Sequence, residues 1–356
     1  FMPFFSFVNG KSRIKKSALK IKVINYLGEE FTKIIILKDL KPYETKFVYF
    51  LNDNEKKFLR EKKATVKIKH NFTNFFPRFL SGNIQQNFYN SSLTHTYYDT
   101  SKQKDKNAFW PNPNKNIFYD SSVSFPLFKN KKSYTELVVY PNFPKCNVIF
   151  NLEIYNSTGI KIKKLNSVLK ISNKLNKPIY LDIKKILNKD NIKINYKKDH
   201  LIKLIVDGNG KVPTRLKFGL NIGFKNKFDV PSNICFNAHV PNSKVLTKPG
   251  TFKWAPILNK HNSYLIISNT SNLKNKNKKA NIVLNFWNEL DSKFLRKKML
   301  IKNNGSYWFD LNKNKKIQKF LKNKTGWVTI QSDNPFVNGW YVEKSNAGFI
   351  GADHFF

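Results

Sequence analysis

Hydrophobic and polar residues alternate along most of this chain in short runs, and helical periodicity is nearly absent. In Ala280–Trp287, written ANIVLNFW, Ile282, Leu284 and Phe286 alternate with Val283, Asn285 and Trp287. A period of two sends successive side chains to opposite faces of a β-strand. Apolar residues on both faces of this run predict an inner position in a sheet. The same strand-turn-strand unit occurs three times, as Ala18–Phe31 (ALKIKVINYLGEEF), Cys146–Lys161 (CNVIFNLEIYNSTGIK) and Ala280–Phe294 (ANIVLNFWNELDSKF). Each copy opens on a small residue and breaks at a turn of Asn, Gly, Ser or Asp.

The flanking pieces recur in the same order. A β-rich run halted by Asn, Pro or Gly comes first: Phe4–Gly10, Thr135–Asn142 and Ser263–Asn269. After the repeated unit lie an apolar strand (Phe47–Phe50, Tyr307–Phe309), a short lysine-rich stretch of helical character (Asn54–Arg60, Ile183–Asn188, Ile317–Lys322) and another alternating strand (Ala64–Ile68, Leu201–Val206, Trp327–Ile330). A proline then recurs at Pro77, Pro213 and Pro335, and each copy closes on His95, His239 or His354. The small residue and the proline lie between 55 and 67 positions apart in every copy. A repeat of that size marks whole domains that bury their own cores, unlike the short units of solenoids. Ser122–Leu127 and Phe252–Ile257 each precede a copy and each carry a proline, which predicts edge strands.

The expected fold is all-β: three tandem antiparallel β-sandwich domains, Ig-like or jelly-roll-like, related by internal duplication and spanning 1–101, 120–240 and 251–356. The long amphipathic helices of a parallel α/β fold are missing. A length of 356 residues suits two or three such domains, and 40% hydrophobic with 15% aromatic residues supplies ample material for their cores.

Charge adds a second theme. Lys and Arg number 64 against 23 acidic residues, a formal net charge of +41. Such a field attracts acidic polysaccharides, other polyanions, anionic membrane surfaces or nucleic acid. The wealth of Lys, Asn, Ile, Phe and Tyr is also what a low-GC genome encodes, and the lysines are dispersed through turns such as Lys274–Lys279 and Lys313–Lys316. No basic helix, zinc finger or clustered basic face is evident, so binding to nucleic acid would run through non-specific charge. No stretch reaches the ~20 apolar residues of a transmembrane helix. The start, Phe1–Val8, lacks a basic n-region and a cleavage site and does not read as a complete signal peptide. Localisation stays open.

Candidate chemistry is sparse. There is no nucleophile elbow, no phosphate loop, no metal-spacing pair and no recurrent carboxylate pair. The chain therefore reads as a non-enzymatic binding or structural protein with an anionic or carbohydrate-like partner. The candidate binding residues are His95, His239 and His354; Arg78 and Arg215, which follow equivalent prolines and suit carboxylate or sulfate; and Trp340, one of six tryptophans able to stack on sugars. The third copy has Phe336 where an arginine is expected. Three domains around a pseudo-threefold axis would bring the three histidines together as ligands of a metal ion such as Zn, a metal-dependent enzyme in outline. In tandem domains laid end to end they would instead be local features of each repeat. No other cofactor is implied. His70, His200 and His261 do not recur and are expected at the surface, whereas most aromatics are expected in the core. Cys146 replaces Ala18 and Ala280 and reads as a buried thiol, although one bridge to Cys235 is open to it.

Overall fold

In a computed structural model of the chain, the described residues are 1–60, 62–73, 75–85, 91–105, 108–110, 122–128, 132–195, 198–208, 211–224, 230–237, 249–259, 262–270, 279–290, 293–322, 324–344 and 350–356. The first third of the chain supplies β1 (Met2–Val8), β2 (Ile14–Ile24), β3 (Glu30–Leu40), β4 (Thr45–Tyr49), α1 (Asp53–Lys57), β5 (Thr65–His70), β6 (Leu80–Ile84) and β7 (Ser91–His95). The middle supplies β8 (Phe109–Trp110), β9 (Ser122–Leu127), β10 (Ser133–Val139), β11 (Val148–Asn156), β12 (Lys161–Ile171), β13 (Ile179–Asp182), α2 (Ile183–Lys189), β14 (His200–Asp207), β15 (Val212–Pro213), β16 (Lys217–Phe224) and β17 (Ser232–Asn237). The last third holds β18 (Thr251–Ile257), β19 (Asn262–Asn269), β20 (Ala280–Asn288), β21 (Phe294–Ile301), β22 (Gly305–Asp310), α3 (Lys315–Leu321), β23 (Gly326–Ser332), β24 (Val337–Lys344) and β25 (Ile350–His354).

The fold is all-β. Among the described residues the strands form six antiparallel sheets of three or four strands, plus the ribbon β15-β8. The orders are β4-β1-β6-β7 with β3-β2-β5, then β13-β10-β16-β17 with β12-β11-β14-β9, then β22-β19-β24-β25 with β21-β20-β23-β18. β20 is an inner strand, as its two-faced apolar pattern predicts, and β9 and β18 are the predicted edges, with Pro126 opposite Leu201 and Pro256 opposite Trp327. The helical stretches form short helices of five, seven and seven residues. Helices so short depend on caps and packing. Asn52 caps α1 in a capping box with Glu55, Asp182 caps α2 and Asn314 caps α3.

Asparagines hold the turns. After β2, Asn25 Oδ1 accepts the N–H groups of Leu27 and Glu29 at 3.0 and 3.1 Å; after β11, Asn156 Oδ1 accepts those of Thr158 and Ile160 at 3.0 and 2.9 Å. Asn288 accepts from Leu290 in the same way after β20, at 2.8 Å. These Asx turns let Gly28 and Gly159 adopt positive φ, at +90° and +85°. The Asn25 amide also donates to the Phe58 carbonyl at the end of α1, and that of Asn288 to the Phe320 carbonyl within α3. A second pair closes the first strands: Asn9 Nδ2 donates to the Leu40 carbonyl and Asn269 Nδ2 to the Ile301 carbonyl.

Among the described residues, most buried apolar side chains fall into three clusters. One gathers Phe5, Phe7, Leu19, Ile21, Val23 and Phe50; one gathers Phe150, Leu152, Ile154, Leu204, Phe218 and Leu220; one gathers Ile282, Leu284, Phe286, Phe309, Val328 and Ile330. The middle cluster also takes in Ile266, Trp340 and Val342 from β19 and β24. The sheet β22-β19-β24-β25 is therefore buried on both faces, because Leu265, Ile267 and Phe309 turn the other way into the third cluster.

Candidate functional site

The sheet β18-β23-β20-β21 buries one face and exposes the other. Ala255, Ile257, Ile282, Leu284, Phe286, Val328 and Ile330 fill the core. Period-two geometry puts their sequence neighbours outside. Register then aligns these neighbours in rows across the four strands. One row reads Pro256, Trp327, Trp287, Phe294; the next Trp254, Thr329, Asn285, Arg296; the third Phe252, Gln331, Val283, Lys298. Phe252, Trp254 and Trp327 are 61%, 44% and 39% exposed.

The aromatic rings are ordered by one another. Trp287 lies parallel to Trp327, with centroids 6.1 Å apart and planes 7° off, and Phe294 follows at 4.8 Å. On the opposite edge, Phe356 exchanges two backbone hydrogen bonds with Trp254 and stacks on its ring at 5.0 Å. Between the rings runs a polar seam. The Trp287 indole N–H and the Asn285 amide both donate to Thr329 Oγ1 at 3.4 Å, and Asn285 Oδ1 accepts Arg296 Nε at 2.9 Å. Asn285 is buried and cannot turn away, so it fixes the Arg296 guanidinium 5.0 Å from the Phe294 ring centroid. The terminal nitrogens of Arg296 have no protein acceptor among the described residues. Rings beside fixed donors and a free guanidinium end can hold a flat, hydroxylated ligand and pair with an acidic substituent. The rows contain no carboxylate, so the face lacks the paired acids of glycoside hydrolysis.

The residues singled out from sequence lie elsewhere. β7 and β25 both meet β17: Thr94 Oγ1 contacts Cys235 Sγ at 2.8 Å, and Ser232 Oγ accepts the Ala352 N–H at 2.9 Å. The closing strands of the three stretches are thus neighbours. The His95 ring is exposed, its carbonyl accepting from Cys235 Sγ at 3.5 Å. His354 is half-buried; its Nδ1 donates to the Phe355 carbonyl at 2.9 Å and its ring lies 5.3 Å from that of Phe356, at the margin of the aromatic face. His239 lies outside the described residues. Among the described residues no group of three or more His, Cys, Asp or Glu is placed to hold a metal ion.

Arg78 is exposed, and the Arg215 guanidinium sits 5.6 Å from the Tyr98 ring centroid. Phe336, in the equivalent place, is buried. Trp340 is 2% exposed and packs edge-on against Phe236 at 5.9 Å, so it has no face open to a ligand; the double burial of its sheet is the reason. His200 is buried, contrary to the surface position expected of it, because β14 is an inner strand; burial holds its imidazole below the usual histidine range. Both cysteines are free thiols, and burial pushes Cys146 up to about 12.

Sequence reasoning missed Trp254, Trp287 and Trp327 as a group. Their signal is parity: each occupies the face shared with Asn285, Thr329 and Arg296, not the one shared with Ile282, Leu284 and Phe286.

No protein-family model matches the chain, and a comparison with curated proteins finds none similar. Among solved structures, the crystal structure of a tetra-tandem repeat in the extending region of a large adhesion protein is 6% identical, with a TM-score of 0.12 over 95% of this chain. The chain spans 65% of that structure's length, and a TM-score so low does not indicate a shared fold.

Proposed function

We propose that the chain is a non-enzymatic tandem of three antiparallel β-sandwiches, over 1–101, 120–240 and 251–356, whose third member binds an acidic, carbohydrate-like ligand on the aromatic face. The duplication is supported by three pairs of sheets whose strand orders match except that β3-β2-β5 has no counterpart of β9 or β18 among the described residues, by the Asx turns at Asn25, Asn156 and Asn288, and by the repeated tethers from Asn25 and Asn288 to the short helices. Docking between neighbours follows one pattern as well. Gly28 approaches the loop at Lys177, and Gly159 approaches the next such loop at Asn303. A Cβ on Gly159 would meet the Asn303 carbonyl oxygen at 2.2 Å, so that approach needs glycine.

The observation that carries the ligand assignment is the row Trp327, Trp287, Phe294 beside the seam Thr329, Asn285, Arg296. Exposed rings in register are costly to keep in water unless something covers them. Sugar C–H faces stack on such rings, and Arg296 selects a carboxylate or sulfate. The test is a glycan array followed by titration with acidic and neutral oligosaccharides. Trp254→Ala and Trp327→Ala each lower affinity by about 5- to 30-fold. Arg296→Gln erases the preference for acidic over neutral sugars. Absence of any glycan signal at low salt, or tryptophan variants that bind like the parent, removes the assignment.

A further inference from the structure

The sheet β3-β2-β5 carries a different surface. Leu19, Ile21 and Val23 point into the core, so the even-numbered residues of β2 lie on the outer face. Register sets Lys16 opposite Lys38, Lys20 opposite Lys69 and Lys22 opposite Lys67. Like charges directly opposite on neighbouring strands destabilise a sheet. Lys22 is answered by Glu30 at 2.6 Å and Lys67 by Asp99 at 2.8 Å. Lys16, Lys20, Lys38 and Lys69 have no partner among the described residues. On the same face Ile34 sits opposite Lys20 and Ile36 opposite Ala18, 63% and 47% exposed.

Protection of a sheet edge explains lysines on β3, which is an edge strand. It does not explain Lys16, Lys20 and Lys22, because β2 is the inner strand. An external anion relieves the repulsion between the facing lysines. The isoleucines decide which kind of anion: a soluble polyanion gains nothing from them, whereas a bilayer takes charges at its headgroups and apolar side chains just beneath.

We propose that this face docks on an anionic lipid surface, with Lys16, Lys20, Lys38 and Lys69 at the phosphates and Ile34 and Ile36 in the interfacial layer. The site is separate from the aromatic face and does not rest on the sugar assignment.

The test is co-sedimentation of the full chain with phosphatidylcholine vesicles, with and without phosphatidylserine, at physiological ionic strength. Binding requires phosphatidylserine. Lys20→Gln with Lys69→Gln weakens it by about 25-fold, at about fivefold per lysine near an anionic surface. Ile34→Ser with Ile36→Ser weakens it by about tenfold. Thermal unfolding accompanies each variant: relief of an opposed lysine pair leaves Tm unchanged or raises it, so lost binding cannot be lost folding. Trp254→Ala with Trp327→Ala leaves vesicle binding unchanged, which separates failure here from failure of the sugar reading. Three results overturn the proposal: no preference of the parent for phosphatidylserine, full binding by the lysine variant, or full binding by the isoleucine variant. In the last case, displacement by dextran sulfate would reassign the face to a soluble polyanion.

Discussion

Lys217 offers a sharp test of the junction between the first and second stretches. It opens β16, is 8% exposed, and its Nζ lies 4.9 Å from the centroid of the Tyr97 ring. No carboxylate faces it among the described residues. Burial first, and then the Arg215 charge, lower its pKa from 10.5 to about 8, while the Cys235 thiol acts weakly the other way. The unfolded chain therefore binds the extra proton between about pH 8 and 10.5, so stability rises with pH across that window. Below pH 8 both states are charged and the whole penalty is present. At 1.36 kcal/mol per pH unit the window corresponds to roughly 3 kcal/mol. The cation–π contact with Tyr97, worth about 0.5–2 kcal/mol, is forfeited when the charge is removed. Lys217→Met keeps the stem volume and removes the charge. At pH 7 it should stabilise the protein by on the order of 1–2 kcal/mol, and near pH 10 the gain should vanish. Urea unfolding of both proteins across this range measures the difference. Tyr97, Tyr140 and Tyr180 are pushed upward by burial and cost stability above pH 10, but equally in both proteins, so the difference isolates Lys217. A variant that is less stable than the parent by the same amount at every pH would refute the reasoning.

Three further substitutions probe packing and the ligand face. Gly219→Ala puts a Cβ 2.2 Å from the Tyr140 hydroxyl and 2.9 Å from Asn233 Nδ2, and should cost about 1–3 kcal/mol in urea unfolding without altering ligand binding. Trp340→Ala empties the shared layer between the middle and last sheets and should cost about 3–5 kcal/mol, with a fall in Tm that glycan does not restore. Asn285→Ala leaves Thr329 and Arg296 without their common partner; it should cost about 1–2 kcal/mol and loosen discrimination between acidic and neutral sugars.

Much of the strand pattern could be read from alternation, because one buried face imposes a period of two on every strand beside it. The edge positions of Ser122–Leu127 and Phe252–Ile257 follow from proline, and the short helices from the lysine-rich stretches of helical character. What alternation does not record is which sheet has a second neighbour. Trp340 and Trp327 both sit in strands with apolar residues on two faces, yet one is sealed by the adjoining cluster and the other is open. His200 was misplaced for the same reason, since a lone polar residue beside Leu201 and Ile202 carries no mark of what covers it. The lysine face was hidden differently. Lys16 and Lys38, or Lys20 and Lys69, become neighbours through strand register alone, so lysines that look dispersed in sequence form opposed pairs.

On the proposed duplication, β2, β11 and β20 are equivalent strands, and their outward faces have diverged. β2 shows Lys16, Lys20 and Lys22; β11 shows Asn151, Glu153 and Tyr155; β20 shows Asn281, Asn285 and Trp287. The middle face is partly consumed by packing, since Glu153 and Lys203 are buried and Lys203 Nζ donates to Asn304 Oδ1 at 3.1 Å. The first and third faces keep exposed residues able to recruit a partner, and their chemistries differ. Among the described residues the two faces share no hydrogen bond, ion pair or apolar cluster, so their contributions should add. Combining Lys20→Gln and Lys69→Gln with Trp327→Ala should therefore reproduce, within about 0.5 kcal/mol, the sum of the separate losses in vesicle and glycan binding. A coupling energy well above that would mean that one ligand spans both faces, and the two sites would have to be redrawn as one.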